Sequence, residues 1–231
     1  MHWLEAWLIP PKSVLSNVVG DGLDLSAEER SRLPRVHSIC PVCAGVSPDG
    51  RICGHCLKSP PAFDSTQVAF FYRPPIVELI HDLKYHRQTA NARLLAELYL
   101  EEMVAQLSSS RIEAIVPVPV HPLRRRERGY NQAELLARIV AGRLGLPVVR
   151  NAVRRVKNTP SQTHLDVTER KRNLRRAFEV DAQKLNGLKR LAIMDDVMTT
   201  GATIQSLAKQ LKQQSDAEFI AAWVIAKTES S

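Results

Sequence analysis

The chain has 231 residues, 44% of them hydrophobic, with 32 Lys and Arg against 24 Asp and Glu and a formal net charge of +8. This supplies apolar material for one large domain, or one domain with a small appendage, and excludes a generally disordered chain. No apolar run reaches the roughly 20 residues of a membrane span. The opening MHWLEAWLIPP lacks the regions of a signal peptide, so the expected location is the cytoplasm, without membrane insertion.

Residues 1–37 read as a short helical arm. Trp3, Leu4, Trp7 and Leu8 can share one helix face, which would dock on the body or on a partner. Residues 38–60 hold all four cysteines, Cys40, Cys43, Cys53 and Cys56, in CPVCAGVSPDGRICGHC. Each C-x2-C pair forms a knuckle that aims two thiols at one point, and two knuckles close a tetrahedron around Zn²⁺. The alternative of two disulfides needs an oxidising compartment, which the opening stretch does not suggest. Four thiolates fill the coordination sphere, so the zinc is read as structural, with His55 a solvent-facing bystander.

Residues 61–231 alternate strands and helices. QVAFFY, residues 67–72, reads as a strand. In PPIVELIHDLKY, Ile76, Leu79, Ile80 and Leu83 fall at helical spacing behind a proline start. A second amphipathic stretch runs over 91–107, IEAIVPVPV over 112–120 is a buried-type strand, and QAELLARIVAGRLG is a further helix. PVV, 147–149, is a short strand, and RLAIMDD is a buried one. Ile204, Leu207, Ala208 and Leu211 line a helix face, and FIAAWVIA closes the chain as a strand. The alternation predicts an α/β fold with a doubly wound, mainly parallel sheet, preceded by a small zinc-ribbon module. Ligands of such sheets sit outside the carboxyl ends of the strands. Two polar clusters occupy that place, DDVMTTGAT and HPLRRRERGYNQ.

The second cluster opens the basic part of the chain. Residues 121–176 carry 15 Lys and Arg against 4 Asp and Glu, or +11, which leaves −3 for the remainder. Such a segment is either a solvated mobile face or a site for phosphates or nucleic acid. Tyr130 is the one obvious aromatic stacker among its charges.

The first cluster is a strand, a hydroxyl-rich turn and a helix start, which together make an anion cradle. Backbone N–H groups and the helix dipole favour a phosphate there. Thr199, Thr200 and Thr203 add hydroxyl donors, Gly201 allows close backbone approach, and Ala202 lies within the same turn. Asp195 and Asp196 could hold the 2′ and 3′ hydroxyls of a ribose, as one acidic residue does in dinucleotide folds. The alternative is a capped helix behind metal-binding aspartates.

IMDDVMTTGAT closely resembles the phosphoribosyl-pyrophosphate signature of type I phosphoribosyltransferases. VPVPVHPLRRRERGYNQ and RVKNTPSQTHLDVTERKRNLRRAF, with the cysteine module and LIHDLKY, are similar to the ComF/GntX family of competence-associated proteins. The resemblance covers roughly residues 38–226. It departs from the family in LKYHRQTA, where a glycine commonly follows the tyrosine, so the loop after Tyr85 is not carried over. The resemblance implies a sheet of the type I phosphoribosyltransferase kind. It places Asp195 and Asp196 on the ribose hydroxyls and Thr199 to Thr203 on the 5-phosphate of phosphoribosyl pyrophosphate. The loop from Pro119 to Asn131, with His121, Arg124, Arg126 and Arg128, would face the pyrophosphate, where guanidinium forks match phosphate oxygens. Some of these arginines could instead reach nucleic acid. Mg²⁺ would bridge pyrophosphate and diol oxygens. The segment from Arg154 to Phe178 would form a hood contributing Gln162 and Arg170.

Three functions fit these expectations. The family resemblance implies a competence protein that binds phosphoribosyl pyrophosphate and handles incoming single-stranded DNA, beside DNA-uptake or replication-restart proteins. A phosphoribosyltransferase acting on an unidentified acceptor is a second. A sensor that couples the phosphoribosyl ligand to a partner is the third.

Overall fold

The computed structural model describes residues 12–16, 20, 24–156 and 177–229. The expected arm face of Trp3, Leu4, Trp7 and Leu8 lies outside the described residues, as do the hood residues Gln162 and Arg170.

Four parallel strands form the central sheet: β1 (Ser65–Phe71), β2 (Ala114–Pro117), β5 (Arg190–Met198) and β6 (Phe219–Lys227). Their order is β1-β6-β5-β2. The inner pair is covered on both faces, which is why FIAAWVIA reads as an unbroken apolar run rather than an alternating one. The chain from β1 to β2 crosses the sheet through α3 (Ile76–Tyr85) and α4 (Ala90–Ser109). It returns to β5 by way of α5 (Pro122–Arg128) and α6 (Gln132–Leu144), and α7 (Ala202–Gln214) links β5 to β6.

Two apolar clusters occupy the two faces. Leu79, Leu83, Leu95, Leu136 and Val140 of α3, α4 and α6 pack with Ala192, Met194 and Trp223. Ile204, Leu207 and Leu211 of α7 pack with Leu191, Ile193, Ala222 and Val224. Helices on both faces make the sheet doubly wound, as the alternation of elements predicts.

The described end of the arm contains α1 (Ala27–Ser31), which opens with a capping box between Ser26 and Glu29. It attaches to the body through Arg30 on Glu101 and Arg35 on Glu102, both 2.7 Å. A backbone bond from Val36 N to Ala69 O, 2.9 Å, adds a contact to β1. A short helix α2 (Gly54–Lys58) starts within the second cysteine pair.

Three elements differ from expectation. The stretch 147–149 makes only an isolated bridge, Val148 with Ile115, because Pro147 has no N–H to extend the ladder. The strand expected over 112–120 contracts to Ala114–Pro117, between charged Glu113 and a segment where Pro117 and Pro119 both lack donors. Third, β3 (Val153–Arg155) and β4 (Phe178–Val180) pair antiparallel in a separate two-stranded sheet. Neither is long enough to show periodicity.

Candidate functional site

Strand β5 delivers Asp195 and Asp196 to its carboxyl end, and pleating turns them toward opposite faces. Asp196 follows Ala192 and Met194 toward the α3 and α6 side, and Asp195 follows Leu191 and Ile193 toward the α7 side. The two carboxylates expected on the ribose hydroxyls therefore stand in different surroundings. Asp196 is 3% exposed. Its Oδ2 lies 2.5 Å from Lys84 Nζ, and its Oδ1 accepts a hydrogen bond from Gln132 Nε2 at 3.2 Å. Asp195 remains partly exposed, and its Oδ1 accepts from the Asp196 backbone N–H at 2.9 Å.

Their ionisation diverges for the same reason. Burial opposes a charge on Asp196, but the ammonium of Lys84 outweighs it and holds that carboxyl below the usual range. Burial and the neighbouring Asp196 charge push Asp195 well up. The pair titrates as a unit, with Asp196 the first of the two to ionise and Asp195 charged only at a cost. Lys84 is held charged because its partner more than offsets burial.

Lys84 and Gln132 are neighbours of Asp196 that the sequence reading passes over. Lys84 ends α3 in LIHDLKY, and Gln132 opens α6 directly after the basic cluster. Gln132 also accepts from Arg128 Nη1. A continuous polar chain thus runs from α5 through α6 and β5 to α3: Arg128, Gln132, Asp196, Lys84.

Beyond β5 the turn of Thr199, Thr200 and Gly201 leads into Ala202 and Thr203, the first residues of α7. Thr199 and Thr200 are exposed, and Thr203 is half-buried. Gly201 caps the helix at φ +74°, a left-handed conformation, and a Cβ there would stand 2.7 Å from Met198 Cε. No side chain caps this helix, and the N–H of Ala202 reaches Thr200 Oγ1 only at 3.4 Å. A helix start without a side-chain cap leaves first-turn donors for an anion. Lys227, 6% exposed, supports the turn from below by donating to Thr199 O at 3.1 Å.

The basic cluster is partly helical. His121 caps α5 by accepting from Leu123 N–H at 3.3 Å, Pro122 takes the first helical position, and Gly129 ends the helix at φ +90°. Residues 121, 122 and 129 thus carried a legible helix signal that the expected loop overlooks. Pro119 is half-buried beyond β2. Arg124 and Arg128 are half-buried and Arg126 is exposed. Asn131 is buried, donating to Val118 O at 3.0 Å and accepting from Ala133 N–H at 3.1 Å. It anchors the loop, with both ends of its amide engaged. Tyr130 is not an open stacking ring: its hydroxyl donates to Leu83 O, and it packs against the core. Between α3 and α5 lies a cavity of about 340 Å³ lined by Lys84, Tyr85, Arg87, Arg124, Glu127 and Arg128.

The four cysteines gather as their spacing predicts. Their sulfurs lie within 4.8 Å of one another, and Cys43 Sγ is 3.7 Å from Cys53 Sγ. A tetrahedron with metal–sulfur bonds of about 2.3 Å has edges of about 3.8 Å, whereas a disulfide needs about 2.05 Å. The cysteines are free thiols in a metal-binding arrangement. Backbone N–H groups of Cys53 and Gly45 point at Cys40 Sγ and Cys43 Sγ, at 3.3 and 3.4 Å. Burial raises the Cys40 thiol, but backbone donors outweigh it and bring it down to about 7. His55 is exposed and outside the cluster. The module rests on β1 through Thr66, whose N–H donates to Pro41 O at 2.8 Å and whose hydroxyl donates to Val42 O at 2.5 Å. Among the described residues no helix is long and apolar enough to cross a membrane.

The chain is similar to bacterial proteins named for competence and for DNA utilization. It is 35% identical over 195 residues to the DNA utilization protein YhgH of Salmonella typhimurium, covering 83% of this chain and 85% of that one. It is 37% identical over 179 residues to Competence protein F of Haemophilus influenzae, covering 76% and 78%. Competence protein ComFC of Bacillus subtilis is 22% identical over 206 residues, covering 86% and 82%. No family model matches the chain.

Proposed function

The chain belongs to the ComF family of competence and DNA-utilization proteins, and from that premise we propose that it binds phosphoribosyl pyrophosphate and handles incoming single-stranded DNA in natural transformation. The observation that carries the ligand half is the turn after β5. A left-handed glycine and three threonines surround the start of a 13-residue helix that no side chain caps, at the carboxyl end of an inner parallel strand. A phosphate monoester suits those donors. Asp195, the more open of the two aspartates, serves the ribose hydroxyls, while Asp196 fixes Lys84 and Gln132 beside it. Arg124, Arg126 and Arg128 on α5 serve the pyrophosphate or a DNA backbone. A Mg²⁺ ion would neutralise pyrophosphate oxygens, taking most of its ligands from the substrate and water, with Asp195 as the carboxylate that would support it.

We further infer that the cysteine cluster holds a structural Zn²⁺. The sulfur spacing supports this reading, and four thiols leave no position for a reacting group. Cys53→Ser should abolish stoichiometric zinc in elemental analysis and unfold residues 38–60, since such modules draw their folding energy from the metal.

Two measurements on the full chain test the function. Calorimetry with phosphoribosyl pyrophosphate should give saturable binding, and heat without saturation would remove the ligand half. Binding of a single-stranded oligonucleotide should weaken linearly on logarithmic axes as salt rises; affinity independent of salt would remove the phosphate-neutralising role of α5. Incubation with labelled ligand and candidate acceptors adds a third outcome, because transfer of the labelled phosphoribosyl group to an acceptor, with pyrophosphate released, would identify a phosphoribosyltransferase.

A further inference from the structure

Tyr85 is the last residue of α3 and is 62% exposed, although its neighbours Leu83 and Lys84 are drawn inward. A large ring left this open, at the mouth of a polar cavity, contributes little to the core. Its position is nevertheless defined. The His81 ring lies 4.7 Å from it at 45°, and the Arg128 guanidinium stands 5.7 Å from its centroid. The cavity it lines holds four cations, Lys84, Arg87, Arg124 and Arg128, against one carboxylate, Glu127. Arg87 is tied across the cavity by donating to Glu127 O at 3.2 Å, which joins the α3 and α5 walls. Lys84 is engaged by Asp196, whereas Arg87 and Arg128 keep further guanidinium donors beyond their bonds to Glu127 O and Gln132.

An open aromatic ring within a rim of guanidinium groups is the chemistry that recognises single-stranded nucleic acid. The rim follows phosphates while a base stacks on the ring, without preference for sequence. Tyr130, whose hydroxyl is committed to Leu83 O, does not present such a ring. We propose that the cavity between α3 and α5 is a nucleotide subsite for single-stranded DNA, in which Tyr85 stacks a base while Arg87, Arg124 and Arg128 hold its phosphates. This rests on the reading of the protein as a handler of single strands and assigns that binding to particular residues. It also sets the strand beside the ligand site, because Arg128 continues through Gln132 to Asp196.

The test is fluorescence anisotropy of the full chain with a labelled oligothymidylate and with a strand of equal length carrying abasic residues. The native chain should prefer the thymidylate about tenfold, the scale of one stacked base. Tyr85→Ala should erase that preference and leave the salt slope unchanged, whereas Tyr85→Phe should keep it. Arg124→Ala with Arg128→Ala should lower the slope by about two. If the native chain binds neither strand, the DNA-handling reading and the subsite fall together. If the native chain binds both strands alike, or Tyr85→Ala retains the full preference, the subsite alone is overturned.

Discussion

At the carboxyl end of β5 the two faces of the sheet treat adjacent carboxylates in opposite ways. On the α3 and α6 face, Asp196 is enclosed with Lys84 and Gln132 and is held charged. On the α7 face, Asp195 is partly open, and burial together with its charged neighbour pushes its carboxyl up. The difference teaches that two identical residues in sequence can divide the work. One is bound into the fold, and the other is left at a cost that a ligand can offset, as functional sites commonly are.

The largest expected effect breaks the enclosed side. Asp196→Asn leaves the half-buried Lys84 with its principal partner gone, and removing one member of a fully buried ion pair costs about 3–5 kcal/mol. The nearby Asp195 charge retains some attraction for Lys84, so the loss should fall near the lower end. Urea denaturation checks it, and an unchanged midpoint would show that the pair contributes nothing. Lys84→Met should destabilise the fold in the same direction, because it strands Asp196 instead.

A smaller effect sharpens the contrast at the turn. Gly201→Ala introduces a side chain at φ +74° and against Met198, and alanine at a positive φ should cost about 1 kcal/mol or more. Thermal unfolding reads the loss, and a loss of phosphoribosyl ligand affinity should accompany it.

The smallest effect has the opposite sign. Asp195→Asn removes a carboxyl whose charge the folded state resists, so it should stabilise the protein at neutral pH by about 0.5–2 kcal/mol. A folded pKa raised above the unfolded value of about 3.9 penalises folding as pH rises past that value. The gain should therefore vanish below about pH 4. Asp196 has a depressed folded pKa and contributes stability above the unfolded value that is lost as pH falls through the folded one. Denaturation of each Asn variant against pH should show a gain and a loss that both shrink in acid. Two losses of equal size would erase the distinction between the faces.

These contrasts also explain what was legible in the sequence. The cysteine cluster comes from one short stretch, where spacing dictates geometry, and the helices with faces such as Ile76, Leu79, Ile80 and Leu83 were visible through their period. The parallel sheet followed from alternation. Lys84 and Gln132 were silent because their partner Asp196 lies in a strand more than sixty positions from Gln132, and no local pattern records such a meeting. Tyr130 and Tyr85 exchange roles for a similar reason: the hydroxyl bond to Leu83 O that closes Tyr130 away depends on how α3 packs. The division between Asp195 and Asp196 was available in the pleat, since alternate residues of a strand face opposite ways. Which face is closed depends on Lys84.

The most direct test of the account is calorimetric titration of the Asp195→Asn chain with phosphoribosyl pyrophosphate, beside the native chain. A hydrogen bond to a charged acceptor is worth about 1.5–3 kcal/mol, so affinity should fall about ten- to a hundredfold in a protein at least as stable as the native one. Native affinity in that variant would contradict the claim that the open carboxylate of β5 serves the ligand.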